Sequence, residues 1–551
     1  MAHLNAEKLM TQMLWWQTGV IYQIYPRSFK DTTGNGIGDL SGVIEKLDYL
    51  TNTLGVDAIW LSPFYPSPMA DFGYDVANYV DVHPMFGDLQ TFDELVLQAH
   101  RRNLKLIIDL VPNHTSDHHP WFVESRASRD NPKRDWYVWR DARPDGSPPN
   151  NWLSVFGGSA WEWDQATQQY YLHTFLKEQP DLNWRNPQVK EAMFDVIRFW
   201  LERGVDGFRI DVAHYIMKDP DLHDNPPNTA HKAQMHKSLG AYDSQIHLYD
   251  KGHADVHQVY RELRQVLDEY SHDQPRFSIG EIHIFDWPVW ASYYGKNLDE
   301  IHMPFNFRLL GVRWQAKAVR SLVDKLEAIL PPGAWPNYVL GNHDEPRFAS
   351  RSGMEASRMA AMLLLTLRGT PTLYFGDEIG MADVSIPVEK EQDPWGKRVP
   401  GLGRDPQRTP MQWTSGLNAG FSTAEPQALW LPLSPDYQKV NVEQELNDPR
   451  SLLNLYRSLL TYRHSHLSLQ SGAYQSLDEM PKNVFAYVRR APGFPGILVL
   501  LNFASAAVQA QLPGEWAGRL VLSTYMDREG EIDLQSLNLR AYEGLLIELD
   551  G

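Results

Sequence analysis

The chain has 551 residues, 43% hydrophobic and 22% charged, enough for two or three domains around a large core. Its formal net charge of −18 repels nucleic acid and anionic membranes, so neither is expected as a partner, while a neutral small molecule is unaffected. Cysteine is absent, which excludes disulfides and thiolate metal sites and fits a reducing compartment. Met1 to Gln17 lacks the basic start and apolar stretch of a secretory leader, and no run of about 18 apolar residues predicts a spanning helix. A cytoplasmic setting is therefore expected.

In chain order, Val20–Tyr25, Ala58–Leu61 and Leu104–Asp109 read as apolar strands. Between them, Leu40–Leu50 and Phe92–Arg101 carry apolar residues at helical spacing, a βαβα rhythm that predicts a parallel sheet with helices outside it. The rhythm breaks after His114. Residues 115–184 are rich in Trp, Pro, Asn and Gly and too long for a loop, so they predict an inserted domain. It resumes with a helix over Pro187–Arg203 and strands ending at Asp211, Glu281 and Asp344, then a last strand at Thr370–Phe375. Two further polar insertions, 218–255 and 380–424, leave from the same end of the sheet and are expected to wall a pocket. From about residue 467, Val484–Val488, Ile497–Phe503, Val508–Leu512, Leu520–Thr524 and Gly544–Leu549 read as short antiparallel strands. The predicted architecture is α/β: a (β/α)8 barrel over 1–114 and 185–466, the insertion 115–184 after strand 3, and a C-terminal antiparallel β-sandwich over 467–551.

The chemistry concentrates where strands end. Gly207-Phe208-Arg209-Ile210-Asp211, Ile279-Gly280-Glu281 and Asn342-His343-Asp344 each close an apolar run with an acid. Strand C-termini of such a barrel converge on one mouth. Three carboxyl groups meeting there suit chemistry on a neutral, oxygen-rich substrate, above all glycoside hydrolysis. Arg209 shares a face with Asp211 two residues on, which predicts a cation holding Asp211 ionised.

With Asp109-Leu110-Val111-Pro112-Asn113-His114 and Gln179-Pro180-Asp181-Leu182-Asn183, these form five ordered motifs. Over essentially its whole length the chain resembles glycoside hydrolase family 13, the α-amylase superfamily, in its bacterial α-glucosidase and oligo-1,6-glucosidase branch. The resemblance implies Asp211 as nucleophile, Glu281 as acid/base with a raised pKa, and Asp344 as the third carboxylate, which binds sugar hydroxyls. It further implies Asp75 as the acid on the terminal glucose, Tyr74 as the platform beneath it, and His114 and His343 as imidazoles on its hydroxyls. Arg404, in preference to Arg408, matches the arginine that pairs with Asp75 to close the pocket. Phe156, Phe175 and Phe305 are candidates for an apolar lining.

Asp31-Thr32-Thr33-Gly34-Asn35-Gly36-Ile37-Gly38-Asp39 has oxygen-bearing residues at alternate positions, as a hard cation such as Ca²⁺ or Mg²⁺ prefers. By resemblance the ligands are Asp31, Thr33, Asn35, the Ile37 carbonyl and Asp39, holding a structural ion. The same residues also read as an Asn-Gly turn capping a helix at Leu40. Val212, after the implied nucleophile, accompanies α-1,6 cleavage in the resembled branch. Val212-Ala213-His214 nevertheless departs from the branch's usual Val-Ile-Asn, so α-1,4 and α-1,6 linkages both stay open. The expected partner is a small α-glucoside. The rival activity is glucosyl transfer that isomerises sucrose or makes trehalose, and the oligomeric state is left between monomer and dimer.

Overall fold

A computed structural model describes residues 13–230, 237–272, 274–512 and 516–550. Most of the segment read for a leader, residues 1–12, and residues 231–236 of the second insertion lie outside these. Eight parallel strands form the central sheet: β1 (Ile21–Ile24), β2 (Ala58–Leu61), β3 (Lys105–Leu110), β4 (Gly207–Ile210), β5 (Phe277–Gly280), β6 (Met303–Pro304), β7 (Asn337–Val339) and β8 (Thr370–Tyr374). Hydrogen-bonded neighbours run β7-β8-β1-β2-β3-β4-β5-β6, a barrel closed except at the seam between β6 and β7. Nearly every strand residue is buried, as expected where helices cover one face and barrel-filling side chains the other.

The helices form where stripes and caps agree. Pro187–Glu202 starts with Asn186 capping the Gln188 N–H and Pro187 in the first turn, and it buries Val189, Met193, Ile197 and Trp200 on one side. Leu89–Arg101 starts on Asp88, whose carboxylate accepts from Thr91 N at 2.7 Å. The helix expected over Leu40–Leu50 instead stops at Glu45, and Tyr49–Leu54 follows as a wider turn. There the left-handed Gly55 returns its N–H to the Leu50 carbonyl.

The segment between β3 and β4 carries a three-stranded antiparallel sheet, Trp139–Arg140, Gln169–Leu172 and Trp161–Asp164. Near the C-terminus, a six-stranded antiparallel sheet and the pair Val508–Ala510 with Leu537–Leu539 supply the second β layer. Its strands alternate. Phe485, Tyr487, Val499, Leu501 and Leu546 join the barrel's core, whereas Ala486, Val488, Leu498, Leu500 and Ile547 form a separate apolar cluster. Among the described residues no helix is long and apolar enough to cross a membrane.

Candidate active site

The C-terminal ends of β4, β5 and β7 deliver acids to one pocket, and Asp109 near the end of β3 joins them through Arg209. At its floor a single guanidinium organises three carboxyl groups. Arg209 Nη1 donates to Asp109 Oδ1 at 2.6 Å and Asp211 Oδ1 at 2.7 Å, and Nη2 donates to Glu281 Oε2. Glu281 also takes the Val212 N–H at 3.0 Å and faces His283 Nε2 at 2.7 Å through Oε1. Asp109 is further held by Trp60 Nε1 at 3.0 Å and Tyr74 Oη at 3.3 Å.

One cation serves three buried acids. Burial pushes Asp211 well above the usual carboxylate range against the opposing pull of Arg209, and it lifts Asp109 to about 6. Burial also acts upward on Glu281, but Arg209 and His283 overcome it and hold that carboxyl well below its ordinary value. This reverses the expected order, in which Asp211 is ionised and Glu281 raised. The cause is the sharing: Glu281 takes Nη2 to itself, whereas Asp211 divides Nη1 with Asp109.

The opposite wall is built on Asp344. Its Oδ1 accepts from Arg408 Nη2 at 2.9 Å and Arg404 Nη1 at 3.3 Å, and Oδ2 lies 3.1 Å from His343 Nε2. Those three groups hold Asp344 ionised against its burial. His343 Nδ1 accepts a hydrogen bond from Gln23 Nε2 (2.8 Å), which leaves Nε2–H facing Tyr74 Oη at 2.7 Å. Burial lowers His343 to about 3 and His114 to about 4, so both imidazoles are neutral at pH 7. Phe156, Phe175 and Val212 line the apolar side with Tyr215 and Trp395. Val212 holds φ at 35°, a strained value for a β-branched residue.

Two expected roles are corrected. Arg404 pairs with Asp71, through Nη2 to Oδ1 at 2.6 Å, and not with Asp75. Asp75 is fully buried behind the pocket and accepts the N–H groups of Ala70 and Asp71 at 2.8 and 2.9 Å, fastening its own turn. The left-handed Phe72 (φ 46°) and Gly73 (φ 106°) between the two acids send Asp71 forward and Asp75 back. Phe305 packs in the barrel core with Trp60, Ile279 and Met303 and does not line the pocket. Arg408 and Arg404 both reach Asp344, but only Arg404 reaches Asp71.

In the 31–39 loop the expected ligands serve as acceptors for the loop itself. Asp31 takes the N–H groups of Thr33, Gly34 and Gly36 (2.8–2.9 Å), the Thr33 hydroxyl and Ser422 Oγ at 2.5 Å, which fills its carboxylate. Asn35 accepts from Ile37 N, and Asp39 caps the helix at Leu40 through Gly42 N (2.7 Å) while binding Thr32. The donor set does not form an open oxygen cage in this conformation. Elsewhere, Asp219, Asp221 and His223 bring three ligand atoms within 4.8 Å of one another and could hold a metal ion.

Several pocket residues escape a reading of the sequence. Asp71 lay within reach, inside the same motif as Asp75. His283 also had a signal, since in Glu281-Ile282-His283 the spacing of two puts both side chains on one side of an extended segment. Asp393, Trp395 and Lys237 come from irregular insertions, and Tyr215 from the loop just after β4, with no periodicity to mark them. Asp393 accepts from Arg404 N, Nε and Nη2, and it caps the short helix Pro394–Arg398 that carries Trp395 into the pocket.

Residues 23–472 match the family model for the alpha amylase catalytic domain. A probable alpha-glucosidase of Rhizobium meliloti is 44% identical, with 91% of each chain covered. An oligo-1,6-glucosidase of Parageobacillus thermoglucosidasius is 38% identical over 98% of this chain and 99% of its own. Among solved structures, an alpha-glucosyl transfer enzyme superposes with a TM-score of 0.92 at 40% identity, covering 98% of this chain and 100% of that one. The trehalulose synthase of Pseudomonas mesoacidophila MX-45 gives 0.87 at 34%, with coverage of 98% and 100%. The chain belongs to the alpha-amylase family of glycoside hydrolases, in its α-glucosidase and oligo-1,6-glucosidase group.

Proposed function

We propose that the chain is a retaining, exo-acting α-glucosidase that frees glucose from the non-reducing end of short α-1,4- or α-1,6-linked glucosides. Asp211 attacks the anomeric carbon, Glu281 protonates the leaving oxygen, and the covalent glucosyl–Asp211 intermediate is then hydrolysed by water that Glu281 deprotonates. Asp344, His343, His114 and Asp71 hold the glucose hydroxyls above Tyr74, and Arg404 joins Asp71 to Asp344 behind that sugar. The observation that carries this reading is the pair Asp211 and Glu281 on one guanidinium at the floor of a pocket closed by an ion pair. Two carboxyl groups on one planar cation are close neighbours, as retaining enzymes require (about 5–5.5 Å).

In the free enzyme, burial that raises Asp211 and the Arg209 and His283 contacts that lower Glu281 run against the roles the two acids take in attack. A sugar that draws Glu281 off Arg209 removes the main force keeping it ionised and returns that force to Asp211. That exchange lowers Asp211 and raises Glu281, the directions their roles require.

The same intermediate can pass its glucose to another sugar or alcohol, and the likeness to a trehalulose synthase favours that second outcome. Product analysis on maltose, isomaltose, sucrose and trehalose decides it. Free glucose, α-anomer first, is expected from maltose or isomaltose, whereas isomerised disaccharide as the main product of sucrose would replace hydrolysis with transfer. A structural Ca²⁺ or Mg²⁺ in the 31–39 loop is proposed separately, and only as a weakly held ion that adds little to the fold. It would use Asp31, Thr33, Asn35, the Ile37 carbonyl and Asp39, and it must displace hydrogen bonds already made there.

A further inference from the structure

His283 stands beside Glu281, whose carboxyl pKa it helps hold low, and has no place in the catalytic steps proposed above. Its Nε2 lies 2.7 Å from Glu281 Oε1, on the far side of the carboxyl group from Arg209, which holds Oε2. The ring lines the pocket, and it is stacked on Phe307 with centres 4.7 Å apart and planes 16° from parallel. His214 flanks it, with ring centres 5.9 Å apart, and itself bonds the Glu281 carbonyl through Nδ1 at 3.2 Å. The other His283 nitrogen, Nδ1, is buried and meets no polar partner. A buried N–H left without an acceptor costs more than a spare lone pair. The ring is therefore the tautomer with its hydrogen on Nε2, donating to Oε1.

We infer that His283 is the positioning residue that decides which oxygen of Glu281 carries the acidic proton. This rests on Glu281 being the acid of the proposed glycosidase. An Oε1 that accepts from Nε2–H keeps its carbonyl character, so the incoming proton bonds to Oε2. Oε2 is also the oxygen that comes free when Glu281 turns away from Arg209 and from the Val212 N–H, which donates to it at 3.0 Å. His283 thus anchors one oxygen as a pivot while the other turns, loaded, toward the glycosidic oxygen. Phe307 keeps the imidazole from rotating. The charged and titratable groups around the ring are Glu281 and, through it, Arg209 and Asp344, with His214 and Lys251 behind; Lys251 bears on His214.

The test exploits leaving groups. Nitrophenolate departs without protonation, whereas the alcohol leaving group of maltose requires it. His283→Ala should lower kcat/KM for maltose by about 10- to 100-fold and for 4-nitrophenyl α-glucoside by less than about threefold. His283→Gln, which can again donate to Oε1, should recover most of the maltose loss. Equal losses on both substrates, or no loss, would overturn the assignment and leave a packing role. Glu281→Gln is measured alongside. If that variant shows no preference for the activated substrate, Glu281 is not the acid, and the inference fails with the reading beneath it. If it shows the preference and neither His283 variant does, only the role of His283 falls.

Discussion

Asp71 and Asp75 flank Tyr74 in one short turn and do different work. Asp71 bonds Arg404 at 2.6 Å and faces the sugar site. Asp75 ties back the Ala70 and Asp71 amides, and burial raises it to about 6. Asp71→Asn should therefore cut kcat/KM on 4-nitrophenyl α-glucoside by about 100-fold or more, through loss of charge-assisted hydrogen bonds to substrate and to Arg404. The protein should stay folded. Asp75→Asn should retain kcat/KM within about tenfold and lose stability, because one amide oxygen has to replace two carboxylate acceptors. Kinetics and urea unfolding on both variants check the split; the reverse pattern would restore Asp75 to the site. The sequence leaves the two acids indistinguishable, because the choice is made by positive φ angles at Phe72 and Gly73. The opposite pKa directions of Asp211 and Glu281 are equally hidden: they depend on how one guanidinium divides its two ends among Asp109, Asp211 and Glu281.

Elements carry their signal unevenly. Asp211, Glu281 and Asp344 were legible because an acid at the end of an apolar run breaks the burial pattern. β6, only Met303–Pro304, is too short for any period to show, and the insertions that supply Lys237 and Trp395 have none. The 31–39 loop reads two ways, as an ion site and as a capped turn, because acceptors at alternate positions serve both. Its geometry weighs toward the turn: Asp31 is filled by the loop's own N–H groups and Ser422, and Asp39 caps a helix. Exchange of these bonds for an ion gains little, so chelation with EDTA should lower Tm by less than about 2 °C, and millimolar Ca²⁺ should raise it no more. A drop of about 10 °C on chelation would show a tightly held ion. Asp31→Ala should destabilise the fold with or without Ca²⁺, since the acceptor of three backbone N–H groups is lost.

At the scale of the molecule, the barrel brings together strand ends that are more than 200 residues apart in the sequence, from Asp109 to Asp344. The later insertion adds the arginine that shuts the pocket from behind. The proposed function thus rests on one assembly: Asp211 as the group that attacks an anomeric carbon, with Glu281 across the same guanidinium. A fluorinated α-glucosyl fluoride, which slows breakdown of the glucosyl–enzyme more than its formation, tests this most directly by trapping followed by peptide mass spectrometry. The account predicts one fluoroglucosyl group per chain, on the peptide containing Asp211, and none in Asp211→Ala. A label on another carboxylate, or steady turnover with no trapped species while the enzyme is active, would contradict it.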